Sequence, residues 1–382
     1  MSANTFAPPS SFLRPKLNRL SPPASVVVVG AGAFGGWTAL HLQQKSFRTT
    51  LVDAWGPGHS RSSSGDETRV IRSTYGGNKF YFDMNVRALT LWKEYEKKWN
   101  TRLFHNTGVL WMCYKEKTPI VDDSIPFAKE QGMMYERIDS DSLKRRYPLI
   151  HTEDLHHAYL DPFGGYGMAR ESCQLVVNEF VKLGGTFIQA LAKPGTFASG
   201  GLCDLALSNG SSIKADAYLF ACGSWLGKLF PEVLGNVITC TKQEAYYFGV
   251  PQESSGLYDA MPAWVDVDGN DFYYGIPGNA RRGFKIGVDR RGEPFDPTHG
   301  ERSANPEVLK RARNFIAHRF PGLKNAPLVE NRVCPYENSP DGNFIFDKHP
   351  EAENVIFLGG GSGHGFKHGP ALGEWVAEQL SA

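Results

Sequence analysis

The sequence of 382 residues predicts an α/β fold: a parallel sheet flanked by helices, into which an antiparallel-sheet domain is inserted. Three observations predict it. The β-branched run Ser25-Val-Val-Val-Val-Gly30 ends in glycine, as does a strand buried on both faces. Helical and strand-like apolar segments alternate near both ends of the chain and again in its middle. Between them lie stretches, above all 240–300, whose Tyr, Phe, Trp and Gly alternate as in an antiparallel sheet.

Taken in order, the elements begin after a tail. The first acidic residue is Asp53, and Arg14, Lys16 and Arg19 stand among serines over 1–24, as in a targeting segment. However, Pro8, Pro9, Pro15, Pro22 and Pro23 break the amphipathic helix such a segment needs, so a disordered or extended tail is expected. The strand ending at Gly30 leads into a helix through Ala39, Leu40 and Leu42. Arg48–Asp53 reads as the next strand, which closes a βαβ unit. Val86, Leu89, Trp92 and Tyr95 recur at helical spacing between Asn85 and Trp99. Gly108–Met112 is strand-like. From near Cys173 a second α/β stretch holds helix Leu175–Leu183, a strand from Gly185 to Ile188 and a buried strand Ala217–Cys222. Asn354–Leu358 is a strand running into Gly359-Gly-Gly-Ser-Gly363, with a helix from about Pro370 to Leu380. The nucleotide-binding domain is therefore expected from segments 25–104, 167–239 and 335–382, and the inserted domain from 105–166 and 240–334.

Composition excludes several functions. Lys plus Arg is 41 against 40 for Asp plus Glu, a net charge of +1, which lacks the positive field of a nucleic-acid binder. A hydrophobic fraction of 41% rules out wholesale disorder. Cysteines 113, 173, 203, 222, 240 and 334 form no Cys-x-x-Cys pair, which excludes zinc ribbons and suits a reducing, cytoplasmic compartment. No apolar run is long enough to span a membrane. The histidines show no metal spacing, and the adjacent His156 and His157 are expected on opposite sides of a strand, so no metal is predicted.

Gly30-Ala-Gly32-Ala-Phe-Gly35 fits G-x-G-x-x-G between a strand and a helix. Gly30 permits the tight turn, Gly32 lets the backbone approach a pyrophosphate, and Gly35 lets helix and strand pack closely. The helix N-terminus then faces the phosphates. Asp53 ends the following strand, where its carboxylate can accept a bond from a ribose hydroxyl. The motif alone does not separate NAD from FAD.

Three further strings carry a resemblance: Gly65-Asp-Glu-Thr-Arg69-Val-Ile-Arg72-Ser-Thr-Tyr75; Arg332-Val-Cys334-Pro-Tyr336-Glu-Asn-Ser-Pro-Asp341-Gly-Asn-Phe-Ile-Phe-Asp347; and Gly361-Ser-Gly-His364-Gly-Phe-Lys367. With the glycine fingerprint they resemble the D-amino-acid-oxidase superfamily of flavoproteins. The nearest branch is that of the monomeric sarcosine, N-methyl-tryptophan and pipecolate oxidases, from about residue 25 to the C-terminus. The resemblance implies a Rossmann-like FAD-binding domain. It also implies oxidation of the C–N bond of a secondary amino acid or related amine to an imine, with dioxygen reduced to hydrogen peroxide. Small molecules are then the expected partners, and a monomer is compatible with them.

By the same resemblance Gly30, Gly32, Gly35, Asp53, Thr68, Arg69, Gly361, Gly363, Gly365 and Lys367 hold the FAD, and Cys334 carries it through a thioether. A thiolate there needs a positive neighbour, for which Arg332 is a candidate. Arg72 grips the substrate carboxylate with Lys367, Arg69 stands by the flavin, Lys285 activates dioxygen, and Tyr336 is an active-site tyrosine. Arg69 and Arg72 point the same way if they share one turn. His364 is expected to shape the loop rather than act as a base.

Departures lie on the substrate side: Ser63-Ser64 in place of two histidines, the extra Glu67, and Asp289 where a histidine follows the lysine by four residues. Pro335 is a further departure. These argue against sarcosine itself. Phe272, Tyr273, Tyr274 and Trp264 suit either a bulky substrate or the core of the sheet. Two rivals share the scaffold, a dehydrogenase with another electron acceptor and a flavin-binding protein without turnover.

Overall fold

In a computed structural model the described residues are 18–267 and 272–382. The expected tail lies outside them up to residue 17, but its last part is not free. Leu20 donates to the Leu380 carbonyl at 2.8 Å and accepts from Ala382 N–H at 2.9 Å, a bridge to the C-terminal residues.

The βαβ unit forms as β1 (Ser25–Val29), α1 (Ala33–Gln44) and β2 (Arg48–Asp53). Strand β1 lies inside a six-stranded sheet in the order Ile345–His349, Ala352–Gly359, Ala217–Phe220, β1, β2, Thr186–Gln189. All neighbouring pairs are parallel except the first, whose outer strand runs antiparallel. Chain order reverses at β1, with β2 on one side and Ala217–Phe220 on the other. Such a switch point opens a crevice beyond the carboxyl ends of the strands.

Helix α1 is buried on every side from Ala33 to Leu42, and its sequence is accordingly apolar all round. It is sandwiched between the helix Gly369–Leu380, the helix Ala169–Lys182 and α2 (Lys79–Trp99). Close approach needs glycine: a Cβ at Gly373 would stand 2.6 Å from the Trp37 backbone. Trp37 fills the junction, with Trp92, Tyr95 and Trp99 of α2 ringed around it at centroid distances of 5.5, 4.9 and 5.6 Å.

The second sheet has eight strands, ordered Leu328–Asn338, Thr239–Phe248, Phe284–Val288, Phe272–Ile276, Ala263–Val267, Val109–Cys113, His157–Asp161, Glu136–Asp139. It is antiparallel as expected save for one pair: Ala263–Val267 runs parallel to Val109–Cys113. The first strand continues to Asn338, past the expected boundary at 334/335. Pro335 does not stop it, because this is an edge strand, where a missing N–H breaks no ladder bond. Strand alternation also divides the aromatic cluster. Trp264 and Tyr273 pack in the core with Phe284, Phe315 and Phe320, whereas Phe272 and Tyr274 face the opposite side. Opposite them, β3 (Thr68–Ile71) pairs with Gly165–Met168.

Removing the ring at the three-helix junction tests this packing. Trp37→Ala is expected to cost about 3–5 kcal/mol, read as a lowered urea midpoint with an unchanged slope.

Candidate active site

One cavity of about 380 Å³ joins the glycine loop to residues of both sheets. At one end it is lined by Gly30, Gly32, Asp53 and Trp55; at the other by Arg72, Asp289, Tyr336 and Lys367. The glycines act differently. Gly30 has φ +108°, and a Cβ there would sit 2.3 Å from the Ala221 carbonyl oxygen. A Cβ at Gly35 would sit 1.9 Å from the Gly30 oxygen, so this position holds helix against turn. Gly32 meets nothing closer than Ser64 Oγ at 3.6 Å, which leaves its face open to the cavity. Helix α1 starts there with no acid in its first turn, a positive terminus suited to an anion, of whose N–H groups that of Ala33 donates to Ser64 Oγ at 3.2 Å. Asp53 accepts from Ala31 N–H at 2.8 Å and from the amides of Trp55 and Gly56, and its oxygens retain lone pairs for a further donor.

The cations are set by β3, not by a helical turn. Residues three apart on a strand face opposite ways, but Arg72 lies just beyond the strand end, and both guanidiniums border the cavity. Arg69 Nη1 donates to Asp66 Oδ2 at 2.6 Å, and Nη2 donates to the Ser63 carbonyl at 2.6 Å and to Cys334 Sγ at 3.1 Å. Arg69 is thus the positive neighbour of Cys334. Arg332, expected there, turns to Glu330 at 2.6 Å and Glu67 at 3.6 Å. Burial pushes the Cys334 thiol up, and Arg69 partly offsets it.

Lys285, Cys334, Thr68 and Gly35 are not among the residues that line the cavity. Lys285 is 1% exposed. Its Nζ donates to Asp66 Oδ2 at 2.5 Å and to the Thr68 carbonyl at 2.7 Å. Burial lowers its pKa and Asp66 opposes that. Asp66 also receives the Tyr247 hydroxyl at 2.7 Å. Burial raises its carboxyl, but Lys285 and Arg69 outweigh this and hold it far below the usual range.

Arg72 donates to the Thr74 carbonyl, and its guanidinium lies 4.8 Å from the Tyr75 ring centroid and 5.2 Å from that of Trp111. Lys367 Nζ donates to the His364 carbonyl at 2.7 Å. Its pKa is well below the usual value, by burial first and then by Arg72. His364 has Nδ1 3.0 Å from the Tyr75 hydroxyl and Nε2 2.9 Å from the Gly342 carbonyl. Burial lowers its pKa to about 3, so the ring is neutral and both nitrogens are engaged. Gly361 and Gly363 lie against the strand that carries Tyr336: Cβ atoms there would meet Glu337 Oε1 at 3.0 Å and the Tyr336 ring at 2.2 Å. Gly365 completes the cavity wall.

Sequence reasoning missed Asp66, Tyr247 and Glu337. Glu337 lines the cavity, accepts from Gly361 N–H through Oε1 at 3.3 Å, and has no partner for Oε2 among the described residues. Its available signal was a lone acid in an otherwise uncharged run from Val333 to Ser339. His156 and His157 do not diverge, their Nδ1 atoms being 3.1 Å apart, because His156 precedes the strand. His318 joins His151 and Asp154 from 164 positions beyond Asp154, a grouping that linear spacing could not reveal. Arg319 already fills it, donating to both Asp154 oxygens.

The open face of Gly32, a helix terminus with no acid in its first turn and an orphaned Glu337 oxygen fit a dinucleotide that carries anionic phosphates and a hydrogen-bonding ring. The comparisons agree. A family model described as DAO, FAD dependent oxidoreductase, matches residues 25–379. The monomeric sarcosine oxidase of Bacillus sp. (strain B-0618) is 31% identical over 360 residues, covering 93% of this chain and 91% of the relative. The peroxisomal sarcosine oxidase of Mus musculus is 28% identical over 359 residues, covering 92% and 90%. The crystal structure of L-proline dehydrogenase from P. horikoshii superposes with a TM-score of 0.80 at 20% identity, covering 94% of this chain and 93% of that one.

Burial raises the Glu337 carboxyl from 4.5 to about 7. The folded chain therefore holds this proton where the unfolded chain has lost it, and stability falls as pH rises from about 4.5 to 7. Glu337→Gln is expected to remove about 3 kcal/mol of that fall, seen by comparing denaturant midpoints of both proteins at pH 5 and pH 8.

Proposed function

Because the chain belongs to the family of FAD-dependent oxidoreductases acting on C–N bonds, we propose that it oxidises a secondary amino acid or related amine to an imine. In this reading dioxygen is reduced to hydrogen peroxide, and FAD is carried covalently at Cys334. The observation that supports it is a single cavity that joins the glycine cradle to two cations, Arg72 and Lys367, beside Tyr336.

Gly30, Gly32, Asp53 and the amide end of α1 would hold the dinucleotide, with Gly361, Gly363, Gly365 and Glu337 on its other side. FAD, when bound, supplies the redox chemistry by taking a hydride equivalent from the carbon next to nitrogen. The chain's own residues bind and orient. Arg72 is stacked by two aromatic rings and held by Thr74, so its remaining N–H donors form a preset fork for a carboxylate. Lys367 adds a point charge, and a bound carboxylate would offset the burial that disfavours its protonated form. Aromatic walls from Phe272, Tyr274 and Tyr336 would keep water from the reacting carbon. Lys285 is fixed by Asp66 and Thr68 within the group that also holds Arg69 and Cys334, a buried cation where negative charge on dioxygen would be stabilised.

Two substitutions test this reading. Lys285→Met is expected to cut peroxide formation at least about a hundredfold, while anaerobic bleaching of the flavin band by an amine changes little. Equal loss of both would remove the oxygen role. In acid-precipitated protein, wild type should keep its yellow colour in the pellet and Cys334→Ser should release it to the supernatant; release from both would sink the thioether.

A further inference from the structure

We infer that Asp289 makes the substrate end of the cavity a slot for a zwitterion: Arg72 and Lys367 take the carboxylate, and Asp289 takes the cationic nitrogen. This rests on the reading of that end as the substrate subsite and names the charge pattern the substrate carries there.

Asp289 immediately follows the strand Phe284–Val288. Its backbone N–H donates to the Phe272 carbonyl at 2.6 Å, which fixes the residue at the cavity wall. The side chain is not packed away, and the space it borders is the cavity. Burial pushes its pKa up, and the charges of Arg72 and Lys367 partly oppose that. Even so, among the described residues it forms no ion pair with either and accepts no side-chain hydrogen bond. The two cations meanwhile spend their bonds on neutral backbone carbonyls, of Thr74 and His364.

Lys367 is 4% exposed, and a charge so buried is normally paired, because an unpaired one loses its hydration for nothing, whereas Asp289 and Arg72 keep surface open at the cavity. Here two cations and one anion face a common space without touching one another. The partner that satisfies all three is a ligand carrying both signs, its carboxylate between the cations and its cationic nitrogen on Asp289. The other titratable groups facing Asp289 are the phenols of Tyr75, Tyr274 and Tyr336, all raised by burial and so neutral. They supply no competing charge. A histidine at this place would add no fixed anion, so Asp289 shifts preference toward substrates that enter with a cationic nitrogen.

The test uses flavin-loaded protein and two probes of one shape: trimethylglycine, and 3,3-dimethylbutyrate, in which carbon replaces the charged nitrogen. Each is titrated while the visible flavin band is followed. Wild type is expected to bind trimethylglycine about tenfold or more tighter than the isostere. Asp289→Asn should bring the two affinities together, mainly by weakening trimethylglycine, and Asp289→Glu should keep the preference. Equal binding of the two probes by wild type, no perturbation by either, or a preference that survives in Asp289→Asn would overturn the assignment. Should Asp289→Asn not fold, the wild-type ratio and Asp289→Glu still decide. A flavin that no amine bleaches would instead count against the oxidase reading and leave this ratio readable.

Discussion

The carboxylate of Asp66 is the point through which the site is assembled. It is 4% exposed and receives Lys285 from one sheet, Arg69 from β3 and the Tyr247 hydroxyl from a third strand. Two cations this close would repel each other without it, and a buried carboxylate without them would shed its charge. The two cations hold Asp66 ionised, and Asp66 in turn opposes the downward pull that burial and Arg69 exert on Lys285. The cluster fixes where the Arg69 fork points, and so which atom faces Cys334. It also couples β3 to the eight-stranded sheet, so the cavity walls contributed by the two keep their spacing.

That cluster also marks how far sequence alone could reach. The βαβ unit was legible almost to the residue, because its strands are short β-branched runs and its glycines sit at fixed intervals between them. Arg72, Lys367, Tyr336 and the glycines were legible as a set only through resemblance. Nothing in their spacing brings residue 72 to residue 367. The premise for Arg69 and Arg72 was a shared turn, and the chain uses a strand end instead. Arg332 was the wrong neighbour for Cys334, since Glu330 and Glu67 compete for it and Arg69 reaches the sulfur from another element.

What stayed hidden is polar and long-range. Asp66 was in plain view inside a motif, yet its role depends on residues 181 and 219 positions away. Glu337 looks like any edge-strand acid until the fold buries it against Gly361. Phe284 and Ile286 flank Lys285, an alternation that suits a solvent face or a site face equally, and the choice followed from the Thr68 carbonyl of β3 that receives its Nζ. Burial of a charge is a property of tertiary packing, so periodicity cannot report it.

The strand Leu328–Asn338 has one more consequence. It carries Cys334, Tyr336 and Glu337, and it is also the outermost strand of its sheet, a position where an open backbone ladder lets another chain build, but from Val333 to Asn338 it is buried. Pro335 removes a donor from that rim, and its carbonyl is capped by the hydroxyls of Ser63 and Ser224. Glu330 and Arg332 place charge along the same margin. The strand that carries these three site residues is thereby a poor template for intermolecular β-pairing.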